Sequence, residues 1–95
     1  MNRQDYLDLI NPAILMVAKK GEDYNRNGPT LEHYFPFGDA SYIQMIHLKA
    51  VRLVALAGNP KPNFESKKDT LYDLLNYVVF YLSFLKQIED GNVKI

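Results

Sequence analysis

No cysteine occurs among the 95 residues. That excludes a disulfide framework, a thiol nucleophile and thiolate metal sites, and it suits a reducing compartment, so the cytosol is the expected location (the host cytosol if the chain is phage-encoded). Charge of one sign is missing too. Eleven lysines and arginines balance eleven aspartates and glutamates, so no net field draws the chain to a nucleic-acid backbone or an anionic membrane, and a duplex-DNA binder is not expected. Long apolar runs are also absent. The richest, from Tyr77 to Leu85, has nine residues and includes Ser83, far short of the roughly 20 that span a bilayer. The opening MNRQDYLDLINP sets acids among its apolar residues, unlike a signal peptide. Gly21 and Gly28 stand alone with no GK[ST] after them, so there is no phosphate loop. No serine lies in a nucleophile-elbow setting, and His33 and His47 are too far apart and too poorly accompanied to suggest zinc.

What remains is a chain with 47% apolar and 23% charged residues, the balance of one ordinary globular domain with a modest core. Helical punctuation organises it. Asn11 suits an N-cap, Pro12 a first helical position and Gly21 the residue past a helix end, which predicts a helix over 12–20 with Lys19 and Lys20 in its last turn. Residues 3–10 leave room for a short preceding helix. From 21 to 38 the text GEDYNRNGPTLEHYFPFG has no sustained period and reads as an irregular loop. Loops of that length are commonly lids or binding segments, and its Tyr24, Tyr34, Phe35 and Phe37 are costly to leave in water, so it should fold back over the helices or be covered by another subunit.

Asp39 or Ser41 can cap the next helix, over 40–57, which ends at Gly58. Ile43, Ile46, Ala50, Leu53, Val54 and Ala57 recur at spacings of three and four as its core stripe, with Met45, Lys49, Arg52 and Leu56 forming a different one. After the proline-containing turn NPKPNF, Asn63 or Ser66 opens a last helix over 64–89, with Gly91 beyond. Leu71, Leu74, Leu75, Val78, Leu82 and Leu85 supply its core stripe. Tyr77, Val79, Phe80, Tyr81 and Phe84 make its second half apolar nearly all round, so residues 77–85 are expected to join copies of the chain, unless the first helix and the loop cover them. The fold class is therefore all-α: a small helical domain built on a long antiparallel helix hairpin, with a shorter N-terminal helix and an irregular loop.

Counting back from the turn, Arg52 lies about 7 Å and Lys49 about 12 Å away on one arm, while Asp69 lies about 4 Å and Asp73 about 10 Å away on the other. Two basic residues at a spacing of three thus stand level with two acids at a spacing of four. One reading is a salt-bridge network closing the hairpin, with Asp69 the acid of a Ser66 to Asp69 capping box. Another is chemical. Side-by-side carboxylates suit magnesium, making Glu65, Asp69 and Asp73 candidate metal ligands, and a neighbouring lysine and arginine suit phosphate, making Lys49 and Arg52 candidate clamps.

The order KKGEDYN, an aromatic-bearing loop, HLKAVRLVAL and then ESKKDTLYDLLNYVVFYL resembles the phage and bacterial family called nucleotide modification associated domain 1. The resemblance covers about residues 18 to 85, and its last block is the most specific. The matching positions are Lys20, Asp23, Tyr24, Lys49, Arg52, Glu65, Asp69, Asp73, Asn76 and Tyr77. Proteins of that family look like distant relatives of all-helical MazG-type pyrophosphohydrolases, so the resemblance implies nucleotide handling. The departure is as informative. MazG-type enzymes pair one acidic helix with a second to hold magnesium, and here Lys49 and Arg52 stand where the first acidic set belongs. The expectation is a nucleotide-binding protein of phage type that sequesters a nucleotide signal of bacterial immunity without hydrolysing it. In it Lys20, Arg26, Lys49 and Arg52 hold phosphate, Tyr24 or a loop aromatic covers the base, and Asp23 and Asn76 reach the ligand. The alternatives are a magnesium-dependent pyrophosphohydrolase using Glu65, Asp69 and Asp73, and a helical assembly or inhibitor protein whose charges are internal salt bridges.

Overall fold

The computed structural model describes residues 1–26, 31–61 and 64–91, and the side chains of all of these except 19–26, 32, 64 and 65. Among the described residues every regular element is helical: α1 (Arg3–Arg26), α2 (Leu31–Tyr34), α3 (Asp39–Ala57) and α4 (Phe64–Glu89). The chain is all-α. None of these helices is long and apolar enough to cross a membrane.

α1 begins nine residues upstream of the expected start and has 24 residues against 19 for α3, which corrects both the 12–20 span and the idea of a shorter N-terminal helix. The start signal is a reciprocal cap. The Asp5 N–H donates to Asn2 Oδ1 at 2.8 Å and the Asn2 N–H donates to Asp5 Oδ2 at 3.3 Å, satisfying two of the donors a helix start leaves open. Pro12 then lies inside the helix. It removes one hydrogen bond to the carbonyl four residues earlier, but Asp8 and Pro12 are both exposed, so water replaces the missing donor. Among the described residues positive φ occurs only at Gly38 and Gly91. Gly21 therefore continues α1 and does not end it, and the expected 21–38 loop is shortened: 21–26 belong to α1 and 31–34 to α2.

The N-cap of α3 is Gly38, not Asp39 or Ser41. Its φ of 59° and ψ of −130° lie where a Cβ is strongly disfavoured. Ser41 instead reaches back to accept the Phe37 N–H at 2.9 Å, and Asp39 sits in the first turn, where negative charge opposes the helix dipole.

α3 and α4 form an antiparallel hairpin, because partners rise along α3 as they fall along α4: Asp39 and Tyr42 meet Tyr81, Lys49 meets Asp73, and Arg52 meets Thr70. α1 packs on α4, with Ala13 buried there. The core is aromatic. Phe35 stacks on Tyr42 at 4.3 Å and Tyr42 on Tyr81 at 5.4 Å, with Tyr77, Phe80 and Phe84 set around them. The segment before α3 thus folds back through Phe35, as expected, whereas Phe37 remains 79% exposed.

Both expected core stripes are rotated. On α3 the inward positions are Tyr42, Met45, Ile46, Lys49, Leu53 and Leu56, while Ile43, Ala50, Val54 and Ala57 are exposed. On α4 the inward positions are Thr70, Asp73, Tyr77, Phe80, Tyr81 and Phe84; of the expected stripe Leu74 and Leu75 are half-buried, and Leu71, Val78, Leu82 and Leu85 are exposed. Aromatic stacking decides the rotation. Each ring buries more area than a leucine and adds contact geometry worth about 0.5–1.5 kcal/mol per pair, and six rings can be gathered only with this face inward. The expected joining surface over 77–85 is accordingly divided between the two sides of the helix.

Candidate functional site

Lys49 and Arg52 leave α3 on the side that faces α4, three residues apart and hence about one turn apart in height. Lys49 Nζ lies 3.2 Å from Asp73 Oδ2, with the two side chains 24% and 30% exposed. This is the expected basic-to-acidic meeting at one level of the hairpin, and it is partly shielded from solvent. The second half of the expected constellation differs. Arg52 Nε donates to Thr70 Oγ1 at 3.1 Å, not to Asp69, and Asp69 is exposed. The reason is rotational: consecutive helical residues differ by about 100°, so the face that turns Asp73 and Tyr77 inward brings Thr70 with them and carries Asp69 outward.

Thr70 was not singled out from sequence, yet among the described residues it is the one buried polar side chain, 2% exposed. Its hydroxyl accepts from Arg52 and donates to the Ser66 carbonyl at 2.8 Å, so both capacities are used and burial leaves nothing unpaired. Its spacing of three from Asp73 and seven from Tyr77 was the available signal. α4 begins at Phe64, upstream of Ser66, so the Ser66 to Asp69 capping box is not the start of this helix.

Asn76 faces α1. Its Nδ2 donates to the Ala13 carbonyl at 3.2 Å, tying the first and last helices together beside a pocket of about 100 Å³. Phe35, Tyr34, Tyr77 and Phe80 wall that pocket, Val17 and Leu31 close its α1 and α2 sides, and Asp73 and Asn76 are its polar members. Tyr77 meets Phe35 and Phe80 edge-on, at 6.0 Å and 6.1 Å. The structure therefore brings Lys49, Asp73, Asn76 and Tyr77 to one place, with Arg52 a turn away. The side chains of Lys20, Asp23, Tyr24, Arg26 and Glu65 lie outside the described residues.

Chemically, the pocket offers aromatic faces for a planar group and an amide and a carboxylate for its polar edge. At about 100 Å³ it is smaller than the roughly 300–1,000 Å³ that encloses a drug-sized ligand, so a nucleotide would place only its base there. Of the three expected magnesium ligands two are described: Asp69, which is exposed, and Asp73, whose charge Lys49 already opposes. Among the described residues no group of three or more histidine, aspartate or glutamate side chains is gathered to hold a metal ion.

Compared with protein-family models, curated proteins and solved structures, the chain matches none.

Proposed function

We propose that this chain binds a nucleotide, holding it without converting it. The observation that carries this reading is the pocket between α1, α2 and α4, where rings from Tyr34, Phe35, Tyr77 and Phe80 surround the polar groups of Asp73 and Asn76. A base would insert between the rings, stacking being worth about 1–3 kcal/mol, and present its N–H edge to Asp73 and Asn76. Its phosphate would then run toward Arg52 and toward Lys49, whose ion pair with Asp73 would loosen to admit it. Lys20 and Arg26 are the proposed further phosphate contacts. The resemblance over residues 18–85 supports nucleotide handling, and sequestration of a nucleotide immune signal is its sharpest form. The test is release of small molecules from the purified protein by denaturation, followed by mass spectrometry, and calorimetric titration with a nucleotide panel with and without magnesium. Intact ligand and saturable binding support the proposal. Conversion of ligand that depends on Asp69 would replace it with the magnesium-dependent hydrolase.

A second reading rests on a different observation. Lys49 is satisfied by Asp73 and Arg52 by Thr70 within the chain itself, as in a hairpin closed by its own polar contacts for an assembly or inhibitor role. Lys49→Ala would then lower the melting temperature with no nucleotide affinity to lose.

A further inference from the structure

The inward rotation of the aromatic face leaves a second face of α4 uncovered. Leu71 is 49% exposed, Val78 37%, Leu82 59% and Leu85 41%. Together with half-buried Leu75 these residues are spaced four, three, four and three apart, the heptad seam of a helix that packs lengthwise on another helix. Single exposed leucines are ordinary, but a continuous stripe of them along one helix marks an interaction surface.

The surface area sets the scale of what covers it. The chain exposes 7494 Å², whereas a compact monomer of its 11.0 kDa mass exposes about 5,600 Å². The excess of roughly 1,900 Å² is spread over the exposed apolar residues of α1, α3 and α4, and it leaves room for the ~800 Å² that one partner contributes to a standard interface. Within the chain, by contrast, the described apolar residues that are fully buried are Ala13, Phe35 and Tyr42. A second copy would cover this face with the same apolar stripe.

Charge fixes the direction. Lys67 and Lys68 flank the seam at its N-terminal end, while at its C-terminal end Glu89 and Asp90 outnumber Lys86, which pairs with Asp90 at 3.5 Å. Side by side and parallel, two copies would set lysine against lysine and acid against acid. Antiparallel, the doubly positive end meets an end whose net charge is negative.

We propose that two copies of this chain pair through the Leu71, Val78, Leu82 and Leu85 face of α4, antiparallel about a two-fold axis passing between Leu75 and Val78. The interface is isologous, so it closes on a dimer and does not propagate. Leu71 of one copy then lies against Leu82 and Leu85 of the other. The proposal is independent of nucleotide binding, because the pocket opens on a different side of α4.

Sedimentation equilibrium of the full chain at micromolar concentrations tests it, with a mass of twice 11.0 kDa expected. Leu82→Lys, at an exposed position, should give the monomer mass with its helical circular dichroism retained. The chain has no cysteine, so single cysteines report orientation. Val78→Cys, near the axis, should cross-link to itself under mild oxidation. Leu71→Cys should not, since its two copies would stand on the order of 16–20 Å apart, beyond the ~7 Å Cα limit of a disulfide. A monomeric parent chain, a dimer unaffected by Leu82→Lys, or self-cross-linking of Leu71→Cys would each overturn the proposal.

Discussion

The Tyr81 hydroxyl donates a 2.7 Å hydrogen bond to Asp39 Oδ1, fastening the first turn of α3 to the second half of α4. It closes the open end of the hairpin, as the Arg52 to Thr70 contact closes the end nearest the turn. The hydrogen bond to Asp39 raises the Tyr81 pKa above the ordinary 10.0, with desolvation and the Asp39 charge adding to it.

A pH dependence follows. The neutral phenol is favoured by folding, so this contribution is fully present below the unfolded pKa near 10 and is lost as pH rises through the higher folded value. Alkaline titration of phenolate absorbance, with Tyr81→Phe identifying the Tyr81 component, should show that component ionising above the ordinary 10.0, and Asp39→Asn should lower it. Unchanged titration in Asp39→Asn would show that Asp39 is not the cause.

Gly38 tests the connection before α3. A Cβ added there would lie 3.3 Å from Phe84 Cζ, at a φ of +59°. Gly38→Ala should therefore lower the unfolding free energy by about 1–3 kcal/mol, read from the urea midpoint. A neutral result would mean that the backbone relaxes and Phe84 gives way.

Thr70→Val removes the buried hydroxyl with little change in shape. Arg52 Nε loses an acceptor and the Ser66 carbonyl loses a donor, and a loss of about 1–2 kcal/mol is expected. Arg52→Met should remove much of the difference between threonine and valine at this position, because the pair acts as one unit.

Lys49 and Asp73 are partly shielded, so a double-mutant cycle with Lys49→Met and Asp73→Asn should give a coupling of about 0.5–1 kcal/mol, reduced by salt. Under the nucleotide-binding proposal Lys49→Met also weakens binding by at least tenfold in titration. Tight binding by that variant would remove Lys49 from the site.

Element type was legible along the two arms of the hairpin but not over 21–38, where 21–26 and 31–34 are helical. Helical spacing runs through 40–57 and 64–89, and the proline-bearing turn between them forces a hairpin, whose register follows from counting at a fixed rise per residue. That is why the sequence alone sets Lys49 level with Asp73, its ion-pair partner. Asn11 and Pro12 misled because they carry the marks of a helix start, while the pair that caps α1, Asn2 and Asp5, stands nine residues earlier. Capping is local chemistry, and two local signals competed.

Which side of each helix turns inward was not legible. α4 carries leucines on one face and aromatics on the other, and α3 carries isoleucine and valine opposite tyrosine and methionine, so periodicity alone offers two apolar stripes per helix. Local sequence settles helix, turn and register, because those depend on backbone chemistry within a few residues. The choice of face depends on what α2 and α3 bring to meet it: Phe35 and Tyr42, distant in the chain from Tyr77, Phe80 and Phe84, build the aromatic cluster that turns Thr70 inward, Asp69 outward, and the leucine stripe toward solvent.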